Sequence, residues 1–79
     1  MKKAEKTQKV PKWFKGEVYD QGDTVVNQFT GQKYYLNNVE LSIYDLTKGA
    51  EMLGLWNDVR LGLDWFKENN AKAYMVLLD

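Results

Sequence analysis

Apolar residues in the middle of the chain recur with a helical period, and they do so on two sides. After Asn37 and Asn38, the residues Val39, Ile43, Leu46, Ala50 and Leu53 follow at intervals of 4, 3, 4 and 3, which aligns them in one stripe. Leu41, Tyr44, Met52 and Leu55 fall on roughly the opposite side. The spacing predicts a helix with two apolar faces. Its start is marked by Asn37-x-x-Glu40, a capping box, with Asn38 as a competing cap. Its end is marked by Gly54, suited to the left-handed residue that follows a helix.

A second helix is expected from Asn57 or Asp58 to Asn69 or Asn70. Asn57, Arg60, Asp64, Lys67 and Glu68 share one arc of about 100° on a helical projection. Trp56, Val59, Leu61, Leu63, Trp65 and Phe66 cover most of the remainder, interrupted by Asp58 and Gly62. That is about twice the apolar arc of an ordinary surface helix. Residues 71–79 read either as a short helix capped by Asn70 or as an added strand. The two alanines favour the helix.

Upstream the period changes to that of strands. Residues 17–19, 24–29 and 33–36 are strand candidates, separated by Asp20-Gln21-Gly22-Asp23 and Thr30-Gly31. Gly22 is expected to supply a positive φ in the first turn. The predicted fold class is therefore α+β: a short antiparallel meander, two main helices and a short C-terminal element. Residues 1–11 lack periodicity and read as a disordered basic arm, with residues 12–79 as one small domain. Trp13 and Phe14 are the first large apolar groups and the expected docking point.

Composition turns attention to association. A domain this short buries only about 60% of the surface of its unfolded chain, and small domains commonly add disulfides, a metal or oligomerisation. The 79 residues include no Cys and no His, which removes disulfides, thiolate metal sites and the commonest transition-metal ligand. The net charge of zero divides unevenly. Residues 1–15 hold Lys2, Lys3, Lys6, Lys9, Lys12 and Lys15 against Glu5 alone, so the remainder is mildly acidic. The arm has no apolar run resembling a secretory signal, and the apolar run at residues 75–78 is too short to span a bilayer, so a cytoplasmic, non-membrane protein is expected.

Candidate chemistry is sparse. No Ser, Lys or Asp stands at a spacing that pairs a nucleophile with a base, so no catalytic, cofactor-binding or metal-binding residues are assigned. Asp58, Asp64 and Glu68 interleave with Arg60 and Lys67 and read as a solvated salt-bridge face. Asp20 to Asp23 lacks the distal Glu of a calcium loop and reads as a polar turn. The lysines of the arm, with Tyr19, Phe29, Tyr34 or Tyr35 as stacking groups, form an alternative site for single-stranded nucleic acid or RNA. The acidic body opposes that use, and a small core needs the same aromatics.

The blocks at residues 16–23, 27–31, 36–45 and 62–66, with residues 73–79, resemble small uncharacterised proteins of marine tailed phages, including those of cyanobacteria. The resemblance spans residue 12 to the C-terminus and omits the arm. Gln28 and Ala71 stand where these proteins often carry Pro. It implies no catalytic residues. It implies a setting, the cytoplasm of an infected bacterium, and a host or phage protein as a possible partner.

Together these readings describe a non-enzymatic accessory protein that forms a dimer or small ring. Leu41, Tyr44, Met52, Leu55, Leu61 and Trp65 are the candidate interface, and Trp13, Trp56, Trp65 and Phe66 the candidate aromatic anchors.

Overall fold

The structure is a computed structural model and describes residues 8–79. Two strands, β1 (Asp23–Val26) and β2 (Lys33–Leu36), form an antiparallel hairpin. The helices α1 (Asn38–Leu53) and α2 (Trp56–Asn69) follow as a helical hairpin, and α3 (Ala71–Ala73) runs on into a π-helical stretch (Tyr74–Leu78). The α+β class is as expected, and the final segment is a helix rather than a strand.

The expected third strand does not form. Residues 17–19 are bound to α1 instead of to β1. The Tyr19 N–H donates to Ser42 Oγ at 2.9 Å, and the Asn38 side chain donates to the Tyr19 carbonyl at 3.2 Å. These side-chain partners take backbone groups that a ladder needs. β1 also ends earlier than expected, at Val26, because Asn27 turns the chain with its side chain. Phe29 therefore lies in the connecting turn and not in a strand.

Strand register is Asp23 opposite Leu36, Thr24 opposite Tyr35, Val25 opposite Tyr34 and Val26 opposite Lys33. Alternation turns Val25, Tyr34 and Leu36 toward the core and Thr24, Val26, Lys33 and Tyr35 outward. Gly22 has no positive φ, contrary to expectation; the left-handed glycines are Gly31 and Gly54. Space is what Gly22 provides, since a Cβ there would lie 2.1 Å from the Leu36 carbonyl oxygen.

Local chemistry sets the helix ends. Asn37 Oδ1 accepts from the Glu40 N–H at 2.8 Å, and Glu40 Oε1 accepts from the Asn37 N–H at 2.9 Å, completing the capping box. Gly54, with φ 74°, closes α1, and its N–H donates to the Ala50 and Glu51 carbonyls. α2 begins at Trp56, one residue before the earlier of its expected starts, and has no side-chain cap. The bond from the Val59 N–H to the Leu55 carbonyl (3.1 Å) closes its first turn.

Phe14, Leu36, Val39, Ile43, Trp65, Phe66, Ala73 and Leu77 form the core, so every element except β1 contributes a buried side chain. Phe14 brings the N-terminal segment onto it, with Trp13 half-buried alongside. α2 lies close against α1 at Gly62: a Cβ there would sit 1.9 Å from Thr47 Oγ1.

Candidate interaction surface

The two apolar faces of α1 have different fates along its length. On the first stripe Val39, Ile43 and Ala50 are buried and Leu46 is half-buried, but Leu53 is 75% exposed. On the second, Leu41 and Tyr44 pack half-buried against the core, whereas Met52 is 87% exposed. The first half of the helix is thus covered on both sides by its own domain, and the last turn is not. Leu55 and Leu61 are also exposed. Trp65 is placed in the core, 8% exposed and edge-on to Phe66 with ring centroids 5.2 Å apart. Trp56, 65% exposed, joins Met52, Leu53 and Leu55 at the tip of the helical hairpin.

A groove of about 630 Å³ runs between the β-hairpin, α1 and the C-terminal element. Phe29, Tyr44, Met52, Leu63, Leu77 and Leu78 supply its apolar walls. Its rim carries Asp79 and the ion pair of Lys48 with Glu51, 3.2 Å apart. Phe29 stands on this rim 97% exposed. The sequence pattern concealed that position, because a Phe closing a strand-like run reads as a core residue.

A second construction is polar and internal. Glu40 is buried, and Oε2 accepts from Gln8 Nε2 at 2.9 Å and from Asn70 Nδ2 at 2.8 Å while Oε1 caps Asn37. Asn37 Nδ2 donates to Gln8 Oε1 at 3.2 Å, and Asn70 Oδ1 caps Ala73 at 3.1 Å. One carboxylate therefore ties the N-terminal segment, the start of α1 and the α2–α3 junction. No cation among the described residues takes part; amide donors and the positive end of α1 face the charge. The capping box revealed Asn37 and Glu40 in the sequence, but the contribution of Gln8 had no sequence signal.

Outside the core, the Tyr19 hydroxyl donates to Asp45 Oδ2. That hydrogen bond first, then the carboxylate charge and partial burial, holds the phenol above its usual value of 10.0. The expected salt-bridge face of α2 is not formed: Arg60, Asp64 and Glu68 make no ion pair among the described residues, and Lys67 Nζ sits 5.1 Å from the Tyr74 ring centroid. Among the described residues no group of three or more acidic side chains is placed to hold a metal ion. Of the basic arm, Lys9, Lys12 and Lys15 are exposed, and Lys2, Lys3 and Lys6 lie outside the described residues. No helix among the described residues is long and apolar enough to cross a membrane.

Comparison with protein families, with curated proteins and with solved structures gives no match for this chain.

Proposed function

We propose that this chain is a non-enzymatic interaction protein that associates with itself, working as an accessory factor in the infected bacterial cytoplasm that the phage resemblance implies. The observation that carries the reading is the exposure of Phe29, Met52, Leu53 and Trp56 around one groove and the adjoining hairpin tip. Scattered exposed apolar residues are ordinary, but a group of large ones at one end of a small domain marks a binding surface. Met52 and Leu55 carry over from the sequence-derived interface. Leu61 is exposed as well, Tyr44 is half-buried on the groove wall, Leu41 packs half-buried against the core, and Trp65 lies in the core.

Light scattering and sedimentation across the micromolar range test this. The expected result is a concentration-dependent dimer that Met52→Lys weakens while leaving the circular dichroism spectrum unchanged. Leu41→Glu is expected to unfold the domain instead, because that partly buried side chain packs against the core. A wild-type protein that stays monomeric at high micromolar concentration overturns the reading.

A second reading, binding of single-stranded nucleic acid or RNA, is favoured by Lys9, Lys12 and Lys15 on the surface and by Lys33 and Tyr35 on the outer face of the hairpin. It predicts salt-dependent binding to oligonucleotides that is lost when Lys2, Lys3, Lys6 and Lys9 are replaced by Ala. Absence of binding at low salt removes it.

A further inference from the structure

Phe29 is exposed without being loosely held. Asn27 Oδ1 accepts from the Phe29 N–H at 2.8 Å and from the Thr30 N–H at 3.3 Å. The Gly31 N–H returns to the Asn27 carbonyl at 2.7 Å, with Gly31 in the left-handed region at φ 79°. Asn27 Nδ2 reaches across to the Val76 carbonyl at 2.9 Å and fixes the turn to the C-terminal element. A rigid turn thus presents an uncovered aromatic ring at the mouth of an apolar groove.

We propose that Phe29 of one copy inserts into the groove of a second copy, whose Phe29 inserts reciprocally into the first. This rests on the self-association reading and gives it a geometry. A projection and a recess side by side on one surface are what a two-fold, isologous contact requires, since each copy supplies both halves.

Charge fits the same occupant. Residues 27–32 carry no charge, and the Lys48–Glu51 pair leaves no single unpaired charge at that part of the rim. Asp79 borders the groove, while Lys33, exposed, immediately follows the turn, so recess and projection bring opposite signs to the contact. Area limits the strength. Each ring hides about 150–250 Å², and with the groove walls the two rings together fall short of the ~1,200 Å² at the low end of stable interfaces. The dimer is therefore weak and concentration-dependent.

The test is sedimentation equilibrium of full-length wild type, Phe29→Ser and Trp56→Ser, with circular dichroism and thermal unfolding on each. Phe29→Ser is expected to weaken dimerisation at least about 100-fold, because an aromatic anchor is lost twice per dimer. Its Tm at low, monomeric concentration is expected to be unchanged. If Phe29→Ser dimerises as tightly as wild type while Trp56→Ser does not, self-association stands through the hairpin tip and the reciprocal exchange is overturned. If wild type is monomeric throughout, both fall; a lowered Tm in Phe29→Ser then shows that the ring folds into its own groove.

Discussion

Gly49 and Gly62 both interrupt helices, and replacing each by Ala is expected to shift stability in opposite directions. Free of context, Gly→Ala inside a helix gains about 1 kcal/mol. Gly49 on α1 approaches that limit, because nothing lies within 4 Å of its added Cβ. At Gly62 the new Cβ would meet Thr47 Oγ1 at 1.9 Å, Cβ at 3.0 Å and Cγ2 at 3.2 Å. Ordinary carbon contacts are about 3.5–4.0 Å, so α1 and α2 must part or Thr47 must turn. Turning is obstructed, because Thr47 is 1% exposed and its hydroxyl donates to the Ile43 carbonyl at 2.7 Å. Overpacking of this kind costs about 1–3 kcal/mol, and a buried hydroxyl left without its partner adds about 1–3 kcal/mol. After the helix gain, the net loss for Gly62→Ala is about 1–5 kcal/mol. In a domain of this size each kcal/mol moves Tm by about 4–8 °C. Urea and thermal unfolding at 222 nm, at one fixed protein concentration, is the assay. Adding Thr47→Ala to Gly62→Ala removes Oγ1 and Cγ2 from the clash and is expected to recover part of the loss. A Gly62→Ala protein as stable as wild type refutes the close approach of the two helices.

Ile43→Ala removes a fully buried side chain and is expected to cost about 2–5 kcal/mol, with Leu46→Ala costing less because Leu46 is only half-buried; chemical denaturation checks both. Glu40→Gln places an amide donor where two acceptor oxygens serve three donors, and a loss of about 1–3 kcal/mol is expected in urea titrations. For Tyr19 the folded pKa lies above the unfolded value, so the stability it contributes is complete below the unfolded pKa and is lost as pH rises through the folded one. In tyrosinate absorbance the Tyr19 phenol is expected to titrate late, and that contribution is expected to be lost in Tyr19→Phe and to move earlier in Asp45→Asn; identical titrations in all three proteins would contradict the pairing.

Legibility in the sequence follows the range of the interactions involved. The ends of α1 could be read because Asn37, Glu40 and Gly54 act within a few residues of themselves. Asn70 was likewise visible as a cap. The segment at residues 17–19 was misread because its partners, Ser42 and Asn38, are about 20 residues away and compete with a strand through side chains, which no local period records. Gly22 was recognised as necessary for the wrong reason: φ freedom is a local property, whereas its crowding comes from the far end of β2. The two-faced pattern of α1 divides the helix by side, which singles out Met52 but puts Leu53 on the covered stripe and Leu41 and Tyr44 on the uncovered one. Coverage in the structure stops along the length instead. That boundary depends on the reach of the C-terminal element and the β-hairpin. Phe29 escaped because strand alternation predicts direction only while the strand continues, and Asn27 ends it.

The Glu40 cluster also bears on the order of events in folding. α1 and α2 are joined by Gly54 and Leu55 alone, so their contacts close a short loop and are suited to early formation. Closing that hairpin already sets Asn70 beside Glu40, but Gln8, 32 residues upstream of Glu40, lies outside it and must be brought in separately. The Gln8 bond to the carboxylate then acts as a latch set late, and its loss is felt on the way out rather than on the way in. In stopped-flow measurements Gln8→Ala is expected to raise the unfolding rate while the refolding rate stays close to wild type.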